Sequence, residues 1–287
     1  MIYGITGNES KPGIGKVLSE LIKVFKKLGV KYYISDKLAS ALPGKFPVHK
    51  FSSFIDKVDI IISAGGDGTF LETVKKMRNH PVPILGINVG TLGFMAEVVP
   101  EEINRFIIDI ERNRYRINEL CVLSAYAKGR KILTGINEIV IDKYNSTRVI
   151  EIEMSYNDEK VLRFIADGII ISTPTGSTGY SLSAGGPIVS PSGQVFVITP
   201  ISPHTLNFRP LIVPDNGKIH IIAKGSGKIR VTADGHSSKI YSSPAEIIIQ
   251  KSSHKVKTVK SIDRTYFQTL SSKLFWGADV RNNKKFL

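Results

Sequence analysis

Gly65-Gly66-Asp67-Gly68-Thr69 puts one carboxylate into a glycine-rich turn between an apolar run and a helix start. Upstream, Val58 to Ala64 is a short, largely apolar segment of the kind that becomes a strand covered on both faces. Downstream, Thr69 and Glu72 have capping-box spacing ahead of Phe70, Leu71 and Val74, which predicts a helix from Thr69. Asp67 then stands just before a helix N-terminus, where free N–H groups and the helix dipole favour anions. A polyphosphate could lie against those amides while Asp67 faces an incoming hydroxyl, so the chemistry on offer is phosphate chemistry. The same aspartate in isolation is also an ordinary turn residue.

A second polar stretch, Thr173-Pro174-Thr175-Gly176-Ser177-Thr178-Gly179-Tyr180-Ser181-Leu182-Ser183-Ala184-Gly185-Gly186-Pro187, follows the strand-like run Ile169 to Ser172. Its small residues leave backbone amides accessible, so it can satisfy ribose hydroxyls and a pyrophosphate with neutral donors, while Tyr180 offers a ring face to a base. Asp167-Gly168 brings a carboxylate to the approach of the same loop. Asn137-Glu138 opens the run Ile139 to Asp142: an amide can donate and accept toward a purine edge, and a carboxylate can accept from two vicinal ribose hydroxyls. Each of these has a plainer alternative as a polar turn, a turn aspartate or a solvated strand entry. Ala233-Asp234-Gly235-His236 is a weaker signal, and His236 reads as polar surface unless it closes a pocket.

The elements that must position these groups fall into two halves. Over the first 120 residues, strand runs at Ile2 to Thr6, Val30 to Ser35, Val58 to Ala64 and Pro83 to Val89 alternate with helical spacing. Apolar positions from Ile14 to Leu28 form one such helix, ended by Gly29, and Glu101 to Tyr115 another. This βα alternation predicts a parallel sheet with helices on its faces, in which ligands bind at the carboxyl ends of strands. Asp67 is at such an end. So is the loop Asn88-Val89-Gly90-Thr91-Leu92-Gly93-Phe94, and two Gly-Thr loops after neighbouring strands would make one continuous rim. From Cys121 the pattern turns to alternating runs with turn signals, ending with Lys255 to Ser261, and Tyr156-Asn157-Asp158-Glu159 has hairpin chemistry. The expected fold is therefore an α/β N-terminal domain with a parallel sheet (1–120) plus an all-β, two-sheet, sandwich-like C-terminal domain (121–262). The segment 263–287 has helix-compatible composition and is expected to return to the first domain.

At 287 residues with a 42% hydrophobic share, the chain reads as soluble and globular, with two domains rather than one. No apolar run approaches the roughly 20 residues that span a bilayer, and the N-terminus lacks a signal-peptide pattern. The single cysteine, Cys121, fits a reducing cytoplasm and reads as packing rather than a nucleophile. A formal charge of +14 favours polyanionic partners. Lysines are scattered, and neither an aromatic-basic ribonucleoprotein motif nor zinc-finger spacing is present, so nucleic acid is not the expected partner. A membrane is not expected either.

Gly-Gly-Asp-Gly-Thr, then Asn-Glu, then Asp-Gly followed by the long hydroxyl-rich loop, in this order, resemble the NAD kinase family, up to the Phe275-Trp276-Gly277 region. The first motif is shared with lipid and sugar kinases, whereas the second loop is far more specific. The resemblance implies the reaction of NAD with ATP, or polyphosphate, to give NADP, with a divalent cation, expected as Mg²⁺, on the donor and no dedicated protein metal site. It also implies a homodimer or homotetramer. Asp67, with Gly68 beside it, looks like the residue that accepts the proton of the ribose 2′-hydroxyl, and Asn137 and Glu138 match the dinucleotide-binding pair. Arg148, Asp167 and the run Thr178, Gly179, Tyr180, Ser181, Leu182 and Ser183 fall where the family contacts NAD, as do the more variable Ser202 and His236. Three positions depart: Ile165 stands where many relatives have arginine, Gly179 where many have alanine, and Met95 where some bacterial relatives have tyrosine.

Overall fold

The computed structural model describes residues 1–42, 44–90, 93–204 and 207–274. Thr91 and Leu92 of the second Gly-Thr loop, the Phe275-Trp276-Gly277 region and the tail Asn282 to Lys285 lie outside the described residues. The chain divides into two compact units, Met1–Glu119 with Val256–Leu287, and Leu120–Lys255.

The first unit begins with β1 (Ile2–Gly7), α1 (Ile14–Leu28), β2 (Lys31–Ile34), β3 (Ile60–Gly65), α2 (Asp67–Met77), β4 (Ile84–Asn88), β5 (Ala96–Val98), α3 (Ile103–Glu111) and β6 (Tyr115–Leu120). Helix α1 buries Ile14, Val17, Leu18, Leu21, Ile22, Val24 and Phe25 along one stripe, each worth about 1.5–3 kcal/mol of removed apolar surface. It stops at Gly29, whose φ of 65° closes the last turn at little steric cost, and Lys26 and Lys27 complement the dipole there. Helix α2 starts at Asp67, two residues before the start predicted from Thr69 and Glu72. Phe70 N–H already donates to Gly66 O, and Glu72 turns outward to Lys76 (2.8 Å) and Lys37 (3.0 Å) instead of back to the helix start.

The second unit contains β7 (Leu123–Ala127), β8 (Arg130–Gly135), β9 (Glu138–Tyr144), β10 (Ile150–Tyr156), β11 (Glu159–Ala166), β12 (Gly168–Ser172), the short α4 (Tyr180–Ser183), β13 (Val195–Ile201), β14 (Leu211–Pro214), β15 (Ile219–Lys224), β16 (Lys228–Ala233), β17 (Ser237–Tyr241) and β18 (Ala245–Lys251). They form two six-stranded antiparallel sheets, ordered β11-β10-β15-β18-β7-β8 and β14-β13-β12-β9-β16-β17. Alternate residues of both sheets meet in one core: Ile139, Ile141, Ile169 and Ile171 from one, Ile152, Ile221, Ile247 and Ile249 from the other. Two sheets facing each other across one core make a sandwich. The β10–β11 hairpin turns through Asn157 and Asp158, with φ of 49° and 67°, the left-handed pair that a two-residue turn between twisted strands requires.

The chain then adds β19 (Val256–Ser261) and α5 (Tyr266–Leu274). Strand β19 enters the first sheet, whose order is β2-β1-β3-β4-β19-β6 with β5 beside β4, and it runs parallel to β4 through Thr258 and Ile84. The run Lys255 to Ser261 was expected to continue the all-β half. Its alternation is that of any half-buried strand and does not specify which sheet it joins. Strands β5, β6, β8, β14 and β17 were not expected: β5 has three residues, and the middle four residues of β6 are exposed, so neither gives a readable apolar period.

Candidate active site

In the first unit, β3 ends at Gly65 and the chain turns at Gly66 into α2, which sets Asp67 at the carboxyl end of the parallel sheet. The carboxylate is tied down by four donors. Oδ1 accepts the backbone N–H groups of Met95 and Ala96, both at 3.0 Å; Oδ2 accepts the Phe94 N–H at 2.9 Å and the Lys273 ammonium at 3.3 Å. Lys273 comes from the last turn of α5 and also lies over the Phe94 ring, 4.3 Å from its centroid. About 29% of the Asp67 side chain is exposed, so it can be reached.

Segment 93–97 is itself fixed. Asn88 Nδ2 donates to Ala96 O at 3.2 Å, Lys260 donates to Phe94 O at 3.2 Å, and Arg264 donates to Glu97 O. Lys260 and Glu97 form a buried pair at 3.1 Å, and Glu97 Oε1 has no partner among the described residues. Gly93 admits no side chain: a Cβ there would stand 2.0 Å from Asp67 Oδ1. The loops after β3 and β4 thus meet at Asp67 along one rim, and Met95 contributes its amide to it, whatever side chain it carries.

Burial alone would raise the Asp67 pKa. The Ala96 amide, the Lys273 charge and the Phe94 and Met95 amides outweigh it and hold the carboxyl below its ordinary value. Asp67 is therefore an ionised, oriented acceptor and a weak base.

In the second unit, Asn137 and Glu138 stand at the start of β9. Their backbone is held by Asp234, whose carboxylate accepts the N–H groups of Ile136 (2.8 Å), Asn137 (2.7 Å) and Glu138 (3.2 Å) from the β16–β17 turn. The hydroxyl-rich loop runs against this pair, so that a Cβ on Gly179 would lie 3.2 Å from Glu138 Oε2 and 3.8 Å from Asn137 Nδ2. Glu138 is 6% exposed, and its Oε2 has no partner among the described residues. Burial, reinforced by Asp234, pushes its carboxyl up to about 7 against the one lowering contact, the Tyr180 amide.

The loop spends much of its polarity on itself. Thr173 Oγ1 donates to Ile136 O at 2.6 Å and accepts the Gly176 N–H at 3.0 Å, and Ser177 Oγ bridges Pro174 and Val189. Ser181 is fully buried with its hydroxyl 2.8 Å from that of Thr199, so it pins α4 to β13 and offers no side chain outward. Thr178, Gly179 and Leu182 are half-buried, Tyr180 is 46% exposed and Ser183 is exposed.

Asn137, Glu138, Gly179 and Tyr180 are thus brought together, with the exposed His236 on the neighbouring β16–β17 turn. Asp167 lies at the other end of the same strands: Ser172 pairs with Glu138 but Gly168 pairs with Asp142, about 14 Å away at about 3.4 Å per residue. There Asp167 pairs with Lys143 at 2.5 Å, and its N–H donates to Ile201 O, just before Ser202, which is exposed with φ 47°. Arg148 is exposed in the β9–β10 connection. Ile165 is 45% exposed on edge strand β11, on the same face as Arg163, whose charge is taken by Glu151 and Glu153. Sequence reasoning missed Lys273, the clamp by Asp234, and the Lys143 partner of Asp167. Nothing in a helical Ser-Ser-Lys-Leu or a turn Asp-Gly distinguishes those side chains from solvated ones.

A carboxylate set at the carboxyl end of a parallel sheet, beside a helix N-terminus, fits a phosphotransferase of the α/β class. Residues 4–115 match the ATP-NAD kinase N-terminal domain and residues 136–261 the ATP-NAD kinase C-terminal domain. The chain is 38% identical to an NAD kinase of Flavobacterium psychrophilum and 35% identical to one of Bacteroides fragilis, in each case over 98% of this chain and 100% of the relative. Among solved structures it is similar to yeast NADH kinase complexed with NADH, with a TM-score of 0.89 and 26% identity over 99% of this chain and 90% of that one. An NAD kinase from Archaeoglobus fulgidus in complex with ATP aligns with a TM-score of 0.76 and 26% identity, covering 96% and 99%. The chain belongs to the NAD kinase family.

Proposed function

We propose that the protein transfers the terminal phosphoryl group of ATP to the 2′-hydroxyl of the adenosine ribose of NAD, giving NADP and ADP. The observation that carries the reading is Asp67, an ionised carboxylate held by three backbone amides and Lys273 at the carboxyl end of β3, with about 29% of its side chain exposed. Such a carboxylate is too weak a base to deprotonate a sugar hydroxyl before attack. It orients the hydroxyl and takes the proton late, which suits a loose transfer governed by positioning and charge stabilisation. Asn137 and Glu138 are assigned to the adenosine end of NAD, with Gly179 and Tyr180 beside them. Asp167, Arg148 and Ser202, at the far end of the same strands, suit a ligand as long as a dinucleotide.

The divalent cation, proposed as Mg²⁺, belongs to the substrate as the metal complex of ATP. Among the described residues no group of three or more His, Cys, Asp or Glu is placed to hold a metal, and the Asp67 oxygens already carry four donors. Inorganic polyphosphate is the alternative donor. Assembly as a homodimer or homotetramer is supported by edge strand β11, which exposes Val161 and Ile165. A cytoplasmic setting is supported by the unpaired Cys121, and no helix among the described residues is long and apolar enough to cross a membrane.

The test is NADP formation from NAD, ATP and Mg²⁺, read through an NADP-specific dehydrogenase, with Asp67→Asn in parallel. The variant should keep NAD binding and lose about 10²- to 10⁴-fold in rate. Folded protein that binds NAD but forms no NADP with any nucleoside triphosphate or polyphosphate overturns the proposal.

A further inference from the structure

The four donors on Asp67 are not equivalent. Each carboxylate oxygen has two lone-pair positions. On Oδ1 both are taken by the Met95 and Ala96 amides, and on Oδ2 one is taken by the Phe94 amide. These three amides belong to a segment fixed by Asn88 and Lys260, so they cannot leave without dismantling the rim. The fourth position, the outer lone pair of Oδ2, holds Lys273 at 3.3 Å. Lys273 is on a flexible four-carbon stem, about 30% exposed, and it can leave while the three amides stay in place. A substrate hydroxyl that hydrogen-bonds to Asp67 has one place to do so, and the lysine is in it.

We propose that Lys273 is a catalytic cation of the phosphoryl transfer, resting on the NAD kinase reading above. In the ligand-free protein it caps Asp67 on the lone pair that the ribose hydroxyl must use; when the hydroxyl arrives, Lys273 moves onto the transferred phosphoryl group. The hydroxyl oxygen forms its bond to phosphorus as the bond to the ADP oxygen breaks, the proton passes to Asp67 Oδ2 and then to solvent, and Lys273 neutralises the equatorial oxygens in between. Removing the ammonium from the carboxylate also makes Asp67 a better proton acceptor at the moment one is needed. The Phe94 ring lies under the same ammonium, so the cation rests on the ring while it caps the carboxylate, and a move toward the phosphoryl group need only break the contact with Asp67.

The experiment is steady-state kinetics of wild type, Lys273→Met and Lys273→Arg with NAD and MgATP, each checked for an unchanged thermal midpoint. Lys273→Met should lose about 10²- to 10³-fold in kcat. Its KM for NAD should stay level or fall, because the competitor for Oδ2 has gone. The limb of the kcat/KM profile that reports Asp67 should move to higher pH, and Lys273→Arg should recover part of kcat. A packing role for Lys273 would instead raise both KM values with the midpoint falling. That result, or a folded Lys273→Met with kcat within about threefold of wild type, overturns the proposal. Absence of NADP formation by wild type overturns the assigned reaction itself.

Discussion

Replacing Glu138 with Gln should flatten the pH dependence of stability. The Glu138 carboxyl is displaced from its ordinary 4.5 up to about 7 by burial and by Asp234, in a position only 6% exposed. At about 1.36 kcal/mol per pKa unit, the shift is worth about 3 kcal/mol. Because the folded pKa is the higher one, the folded state holds the extra proton between pH 4.5 and 7. The favourable state is complete below the unfolded value and is lost as pH rises through the folded value. Integrated between pH 5.5 and 8, wild type should lose about 2 kcal/mol that Glu138→Gln keeps. The fixed difference between an acid and an amide in the same cavity cancels in that slope. Urea unfolding across this pH range, followed by a β-sheet signal, measures it. Parallel profiles for the two proteins would refute the reasoning, since they would mean that Glu138 is ionised throughout.

Two further perturbations test the rim that holds Asp67. Gly93→Ala puts a Cβ 2.0 Å from Asp67 Oδ1 and should cost about 1–3 kcal/mol while lowering kcat more than tenfold; normal turnover with a normal midpoint would mean that the carboxylate has room to move. Lys260→Met strands the Glu97 carboxylate in a pair that is about 10% exposed and should cost about 3–5 kcal/mol by thermal unfolding. Adding Glu97→Gln should recover most of that loss.

The parts of this protein that were legible in the sequence are those whose pattern is local. The heptad-like stripe of α1 with its terminal Gly29, the isoleucine-rich β3, and the Asn157-Asp158 turn each carry their own explanation. Asp67 was legible because five consecutive residues state both the turn and the helix. What escaped was set by partners far along the chain. Asp67 meets Lys273 across 206 positions, and the clamp of Asp234 on residues 136–138 spans about 98. The serines of the second loop illustrate the converse. Ser177 and Ser181 look identical to ligand-facing hydroxyls until the fold shows them buried and bonded to Val189 and Thr199.

Strand β19 lies inside the first sheet, between β4 and β6, yet it is made only after the whole of Leu120–Lys255 has been translated. A nascent chain that has released its first 120 residues therefore carries an unfinished sheet: β6 lacks the strand it ends up beside, and β4, paired with β3 and along part of its other edge with β5, leaves its Ile84 end open. The sandwich, by contrast, is contiguous and can close as soon as β18 emerges. The second unit can then close at β18, while the first waits for about 140 residues before the place between β4 and β6, one strand in from the sheet edge, is filled. During that interval β6 and the Ile84 end of β4 are exposed template edges, open to pairing with any other strand nearby.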